Sequence, residues 1–142
     1  MINIRHTGIV VSDMEKSLKF YRDLLGFKIK KDMVESGDYI NNFSDLNDVV
    51  VRTVKMSLEN GDMVELLHYD SHPEKPDMTR KITQIGCSHI ALTVNNLDET
   101  YNMLRENDVK FNSPPQHSPD GFAKVTFCKD PDGSLVELVE EL

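Results

Sequence analysis

The chain has no tryptophan and few of the features that mark secreted, disulfide-bonded or membrane-spanning proteins. Its 142 residues include two cysteines, and Cys87 and Cys128 form neither a C-x-x-C pair nor a disulfide framework. No apolar run approaches the roughly 18 residues of a membrane span, and the N-terminus lacks the apolar segment of a signal peptide. These absences predict a cytoplasmic protein that has no membrane partner.

Basic residues are also scarce relative to acidic ones. Sixteen Lys and Arg stand against 24 Asp and Glu, which gives a net charge of −8 with His neutral. Nucleic acids and anionic membranes are bound through clustered Lys and Arg, so the sequence predicts neither as a partner. With 39% hydrophobic residues, the chain can bury roughly two thirds of its unfolded surface in an ordinary globular fold.

An internal repeat is the most informative feature of the sequence. Shifted by 83 residues, the segment 6–11 aligns with 89–94 as H-T-G-I-V-V against H-I-A-L-T-V. Shifted by 72 residues, the segment 61–67 aligns with 133–139 as G-D-M-V-E-L-L against G-S-L-V-E-L-V. Such self-similarity predicts a duplicated supersecondary unit. The predicted single domain therefore consists of an N-terminal module at 1–70, a linker at 71–86 and a C-terminal module at 87–142.

Local signals predict the order β-α-β-β-β in each module, and hence an α+β fold. The strands follow runs of β-branched and alternating residues, and the helices follow apolar residues at helical spacing. In the first module the predicted elements are a strand at 3–11, a helix at 14–25 that ends before Gly26, and strands at 27–34, 49–58 and 63–69. In the second they are a strand at 87–94, a helix at 97–106, and strands at 109–111, 124–128 and 134–139.

Four ionisable residues occupy repeat-equivalent places and predict a metal site. Strand parity places His6, Glu65, His89 and Glu137 on the face opposite the helices. Taken singly, each could be a hydrogen-bonded or solvated residue. Two unpaired carboxylates on an inward face would each cost several kcal/mol and would repel one another, and a cation removes both penalties. Two imidazoles and two carboxylates suit one divalent ion of Ni, Co, Zn, Mn or Fe.

Together with these four residues, two segments resemble the vicinal oxygen chelate superfamily, which includes glyoxalase I, methylmalonyl-CoA epimerase, bleomycin-resistance proteins and extradiol dioxygenases. The segments are F-Y-R-D-L-L-G-F at 20–27 and D-P-D-G-S-L-V-E-L at 130–138. The resemblance implies two β-α-β-β-β modules whose curved mixed sheets form a cup that holds the metal. It also implies a homodimer and substrate oxygens that chelate the ion.

The ligand order His, Glu, His, Glu is similar to that of bacterial glyoxalase I. The resemblance therefore implies a metal-dependent lyase or epimerase, in which Glu137 or Glu65 takes a proton next to a chelated carbonyl of a small molecule and an enediolate forms. Tyr69, His117 and Phe122 are expected to line the substrate pocket. The alternatives are a protein that sequesters a small molecule without turnover and, with less support, an iron-dependent ring-cleaving dioxygenase.

Two positions depart from the glutathione-using members of that superfamily. Val10 stands where those members have Arg, and Tyr69 stands where they have Asn. Those side chains hold the glutathione portion of the substrate in the family. The resemblance therefore implies the reaction class, but it does not imply that the substrate contains glutathione.

Overall fold

The structure is a computed structural model that describes residues 1–142. The chain divides into two compact units, unit 1 at Met1–Pro76 and unit 2 at Asp77–Leu142. Each unit contains one mixed sheet, in which one parallel pair of strands accompanies antiparallel pairs, and the predicted α+β class is confirmed. The boundary between the units falls inside the segment that was predicted to be a linker. No helix of the chain is long and apolar enough to cross a membrane.

Unit 1 is built on a four-stranded sheet with the order β1-β4-β3-β2. Its elements are β1 (Thr7–Val10), helix α1 (Met14–Leu18) continued by a π-helical segment (Lys19–Leu24), β2 (Lys28–Ser36), helix α2 (Asp38–Ser44), β3 (Val50–Ser57) and β4 (Met63–Tyr69). The first strand pairs in parallel with the last, and the other pairs are antiparallel. The sheet is thereby completed by strands of its own unit.

Unit 2 repeats this plan with a five-stranded sheet. Its elements are β5 (His89–Thr93), helix α3 (Leu97–Glu106), β6 (Lys110–Phe111), β7 (Gln116–His117), β8 (Ala123–Lys129) and β9 (Leu135–Glu141). The order is β5-β9-β8-β6, and β7 pairs with β8. As in unit 1, the first and last strands of the unit run parallel.

The two main helices begin in the same way. Asp13 caps α1 with φ −143° and ψ 106°, and its carboxylate accepts a hydrogen bond from the Lys16 amide. Asn96 caps α3 with φ −144° and ψ 105°, and its side-chain oxygen accepts from the Glu99 amide. A side-chain oxygen at this position satisfies an amide that has no partner within the helix. The matching angles show that the repeat extends to backbone conformation.

Alternating residues of the last strand in each unit are buried on one face of the sheet. Val64 and Leu66 on β4 are buried, as are Val136 and Leu138 on β9. These residues alternate with Glu65 and Glu137, which therefore lie on the opposite face. In unit 1, α1 packs against β4 and buries Met14 and Leu18.

Several boundaries differ from the prediction. The first strand begins at Thr7 instead of residue 3, because its ladder partner β4 begins at Met63 and the parallel register starts with Thr7 opposite Val64. His6 therefore precedes β1 instead of lying within it. Helix α2 and strand β7 were not predicted. Both are short, and a short element carries too few turns or alternations to give a periodic signal.

Candidate functional site

Each unit brings together the histidine and the glutamate that the repeat pairs. In unit 1, His6 Nε2 lies 3.9 Å from Glu65 Oε2, and the Glu65 side chain is only 12% exposed. In unit 2, His89 Nε2 lies 3.0 Å from Glu137 Oε2, and both side chains are partly buried. Each His–Glu pair thus lies within one unit.

The parallel strand pairs explain this placement. Glu65 on β4 is in register with Gly8, and Glu137 on β9 is in register with Ala91. In each case the histidine lies two residues before that partner, so it shares the face of the glutamate. Because neither Gly8 nor Ala91 has a bulky side chain, the imidazole can approach the carboxylate along the strand.

A second hydrogen bond orients the imidazole of His89. The Ser88 hydroxyl lies 3.0 Å from His89 Nδ1, and the same hydroxyl donates to the Ile82 carbonyl. With its proton donated to the carbonyl, the hydroxyl accepts from Nδ1–H, and Nε2 is the nitrogen that faces Glu137. Such a partner fixes the tautomer of a metal-ligating histidine. Ser88 also lines a surface cavity of unit 2, together with Arg80, Lys81 and Cys87. The sequence did not predict this cavity.

The two pairs differ in the residue that flanks the glutamate on the neighbouring strand. Lys55 on β3 is in register with Glu65, and its Nζ lies 3.4 Å from Glu65 Oε2. The equivalent residue of unit 2 is Phe127 on β8, whose ring meets the His89 ring edge to face with centroids 5.0 Å apart. One glutamate therefore lies beside a cation and the other beside an aromatic ring.

Imidazole nitrogen and carboxylate oxygen are donors that divalent Zn, Ni, Co, Fe and Mn accept. Each unit presents one of each on the same face of its sheet. By donor type, the two pairs therefore fit such a cation. Neither unit contains a group of three or more His, Cys, Asp or Glu side chains that could hold a metal ion.

The predicted pocket residues lie in different surroundings. Tyr69, at the end of β4, packs against the buried cluster formed by Ile40, Val49 and Val51. His117 is an exposed residue of β7, and Phe122 is 72% exposed in the turn before β8. The contacts of Tyr69 are those of a core residue. A role for these three residues in substrate binding stays a prediction.

Comparison with known proteins places these observations in a family. A family model described as Glyoxalase/Bleomycin resistance protein/Dioxygenase superfamily matches residues 3–138. The chain is 31% identical over 137 residues to a probable lactoylglutathione lyase of Synechocystis, covering 95% of this chain and 92% of that protein. It is 30% identical over 141 residues to the uncharacterized protein YwkD of Bacillus subtilis, covering 98% and 97% of the two chains.

Among solved structures, a glyoxalase family protein from Bacillus cereus superposes with a TM-score of 0.89. The superposition covers 100% of this chain and 95% of that one at 19% identity. At that identity the likeness establishes a shared fold.

Proposed function

Because the chain belongs to the glyoxalase/bleomycin resistance protein/dioxygenase superfamily, we propose that it is a divalent-metal-dependent lyase or epimerase. It would move a proton at a carbon next to a carbonyl group of a small-molecule substrate. The observation that carries the proposal is the His–Glu pair that each unit presents on one face of its sheet, opposite Leu66 in unit 1 and Leu138 in unit 2.

The proposed ligands are His6, Glu65, His89 and Glu137, and the proposed ion is one of Ni, Co, Zn, Mn and Fe. When bound, such an ion stabilises the negative charge that develops on a carbonyl oxygen during proton removal. Ser88 would hold the His89 imidazole in the tautomer that coordinates through Nε2. A homodimer of this chain is part of the proposal.

The base that removes the proton is proposed to be Glu137, with Glu65 as the alternative. Glu65 is held by the Lys55 ammonium as well as by His6, whereas the residue beside Glu137 is the uncharged Phe127. Glu137 thus has one ionisable partner, His89 at 3.0 Å, and it is the glutamate of the two that no ammonium group contacts. A positioned base contributes about 10²–10⁴ in rate. Return of the proton to the opposite face of the same carbon gives an epimerase, and return to the adjacent carbon gives a glyoxalase-type reaction.

Metal titration tests the proposal before any substrate is known. The chain is stripped with a chelator and titrated with Ni, Co, Mn, Zn and Fe(II) by calorimetry, beside the variants Glu65→Ala and Glu137→Ala. We expect one ion per chain, with binding lost in both variants. Glu141→Gln is the matched control, because Glu141 is an exposed residue of the same strand and parity as Glu137. Ser88→Ala should weaken binding by about tenfold, the lower end of the effect of such partners.

Proton transfer is then tested directly in deuterated water. The metal-loaded protein is incubated with 2-oxoaldehyde adducts and with epimerisable acids, and deuterium uptake next to the carbonyl is followed by NMR. Because Gln keeps an oxygen ligand, Glu137→Gln and Glu65→Gln are each assayed at a metal concentration that saturates the variant. Uptake that is lost in Glu137→Gln and kept in Glu65→Gln supports the assigned base, and the reverse transfers the role to Glu65. If none of the five metals binds, the enzyme proposal is wrong, and a protein that sequesters a small molecule becomes the better account.

A further inference from the structure

A row of charged side chains crosses the sheet of unit 1 beside the His6–Glu65 pair. Lys31 on β2 is in register with Lys55 on β3, and Lys55 is in register with Glu65 on β4. Directly paired residues of antiparallel strands share a face, with Cβ atoms about 5 Å apart. The row ends at Gly8 on β1, which is in register with Glu65.

A β-bulge creates this arrangement. The pairing of β2 with β3 passes from Ile29 opposite Met56 to Lys31 opposite Lys55, so Lys30 is the additional residue. Without the bulge, strict alternation would place Lys31 on the core face. Bulges are frequent next to active sites, where they redirect a side chain. Here the bulge moves a second ammonium group to the face that carries Glu65.

The row has one more ammonium than carboxylate group, and the Lys31 side chain is exposed. Like charges directly opposite each other on a sheet are destabilising, and Lys31 and Lys55 are such a pair. Glu65 is the carboxylate that meets Lys55, at 3.4 Å, and the ion pairs of unit 1 do not include Lys31. The excess stands out in a chain whose net charge is −8.

We infer that Lys55, assisted by Lys31, binds a carboxylate group of the substrate, so that the substrate is a carbonyl compound carrying a carboxylate, such as a 2-oxo acid. The inference rests on the proposed function, since Glu65 is one of the proposed metal ligands. When Glu65 coordinates a cation, its negative charge is shared with that cation and attracts the Lys55 ammonium less strongly. The ammonium is then available to bind another anion. The equivalent position of unit 2 holds Phe127, so the anion site belongs to unit 1 alone.

The test compares two probes of the same size, pyruvate and its uncharged amide, pyruvamide. Binding of each to the metal-saturated protein is followed by NMR line shifts, with metal affinity measured separately for every variant. We expect pyruvate to bind at least tenfold more tightly than pyruvamide. Lys55→Met should weaken pyruvate binding by about tenfold, the effect of losing one charged hydrogen bond, and leave pyruvamide unchanged. Lys55→Arg should restore most of the affinity, and Lys31→Met should weaken pyruvate binding by a smaller factor.

Lys28→Met is the matched control. Lys28 lies on β2, as Lys31 does, but it pairs with Glu59 at the exposed end of the sheet. If the wild type binds metal and Lys55→Met binds pyruvate as tightly as the wild type, the inference is wrong and the proposed function stands. If no metal binds but pyruvate still binds through Lys55, the proposed function is wrong and the carboxylate site stands. Absence of both metal and pyruvate binding overturns both.

Discussion

Replacement of Gly133 by alanine should destabilise the protein more than the same change at its repeat-equivalent position, Gly61. Both glycines lie in the turn before the last strand of their unit, with φ of +90° and +92°. A left-handed residue with a Cβ costs about 1–2 kcal/mol, and this penalty applies to both variants. The surroundings differ, because a Cβ at Gly61 would meet nothing within 4 Å.

At Gly133 the added Cβ would overlap the Asp77 carbonyl oxygen and lie 2.7 Å from the Asp77 carbonyl carbon. These are backbone atoms, and the Asp77 amide is itself hydrogen-bonded to the Asp132 carbonyl at 3.1 Å. The segment cannot yield by rotating a side chain. Overpacking of this kind adds about 1–3 kcal/mol. We therefore expect Gly61→Ala to lower the free energy of unfolding by about 1–2 kcal/mol and Gly133→Ala by about 2–5 kcal/mol.

Differential scanning calorimetry of the two variants measures the difference. At about 3 °C per kcal/mol for a chain of this size, Gly61→Ala should lower the Tm by about 3–6 °C and Gly133→Ala by about 6–15 °C. Equal shifts in the two variants would refute the reasoning, because they would mean that the contact of residues 77–78 with the turn contributes nothing beyond the conformational penalty.

Two further predictions concern the thiols and the helix caps. Burial raises the pKa of Cys128 to about 12. At pH 8 iodoacetamide should therefore alkylate the exposed Cys87 and leave Cys128 unmodified until the protein is denatured. Mass spectrometry of the native and unfolded chains measures this difference. Rapid native modification of both thiols would contradict this. Asp13→Ala and Asn96→Ala should each lower the free energy of unfolding by about 1 kcal/mol in urea titrations, and by similar amounts because the two caps have the same geometry. If removal of a cap leaves the free energy of unfolding unchanged, a hydrogen bond to water replaces the one that the cap makes.

The long and regular elements of the fold could be predicted from the sequence. Helix α3 and strand β4 have the predicted bounds, because the periodic pattern of each is unbroken from end to end. Helix α2 could not be found this way, since Ile40 is its one buried residue and a single apolar position defines no period. The first helix was predicted as one run, whereas its second half is π-helical. A change of hydrogen-bond pattern within a helix leaves the apolar spacing almost unaltered.

The same contrast holds for the site. Strand parity and the repeat, both of which can be read from the sequence, place the His and Glu of each unit on the same face. Their proximity depends on the pairing of β1 with β4 and of β5 with β9, which the sequence does not show. The position of Lys55 beside Glu65 could not be predicted either, because it depends on the register between β3 and β4. Lys31 would even have been placed on the wrong face, since alternation along β2 is broken by the bulge at Lys30. Register and bulges are set by the pairing of strands that are distant in sequence.

Pairing of the first strand with the last within each unit has a consequence for biosynthesis. Every ladder of the first sheet is complete once Tyr69 has left the ribosome, because β1, β2, β3 and β4 find all their partners within that length. The first sheet can therefore assemble while the second is still being translated. The second sheet forms later, since β5 remains unpaired until β9, the last strand of its unit, has emerged. A nascent chain stalled between the two units would carry one sheet in which every strand already has a partner.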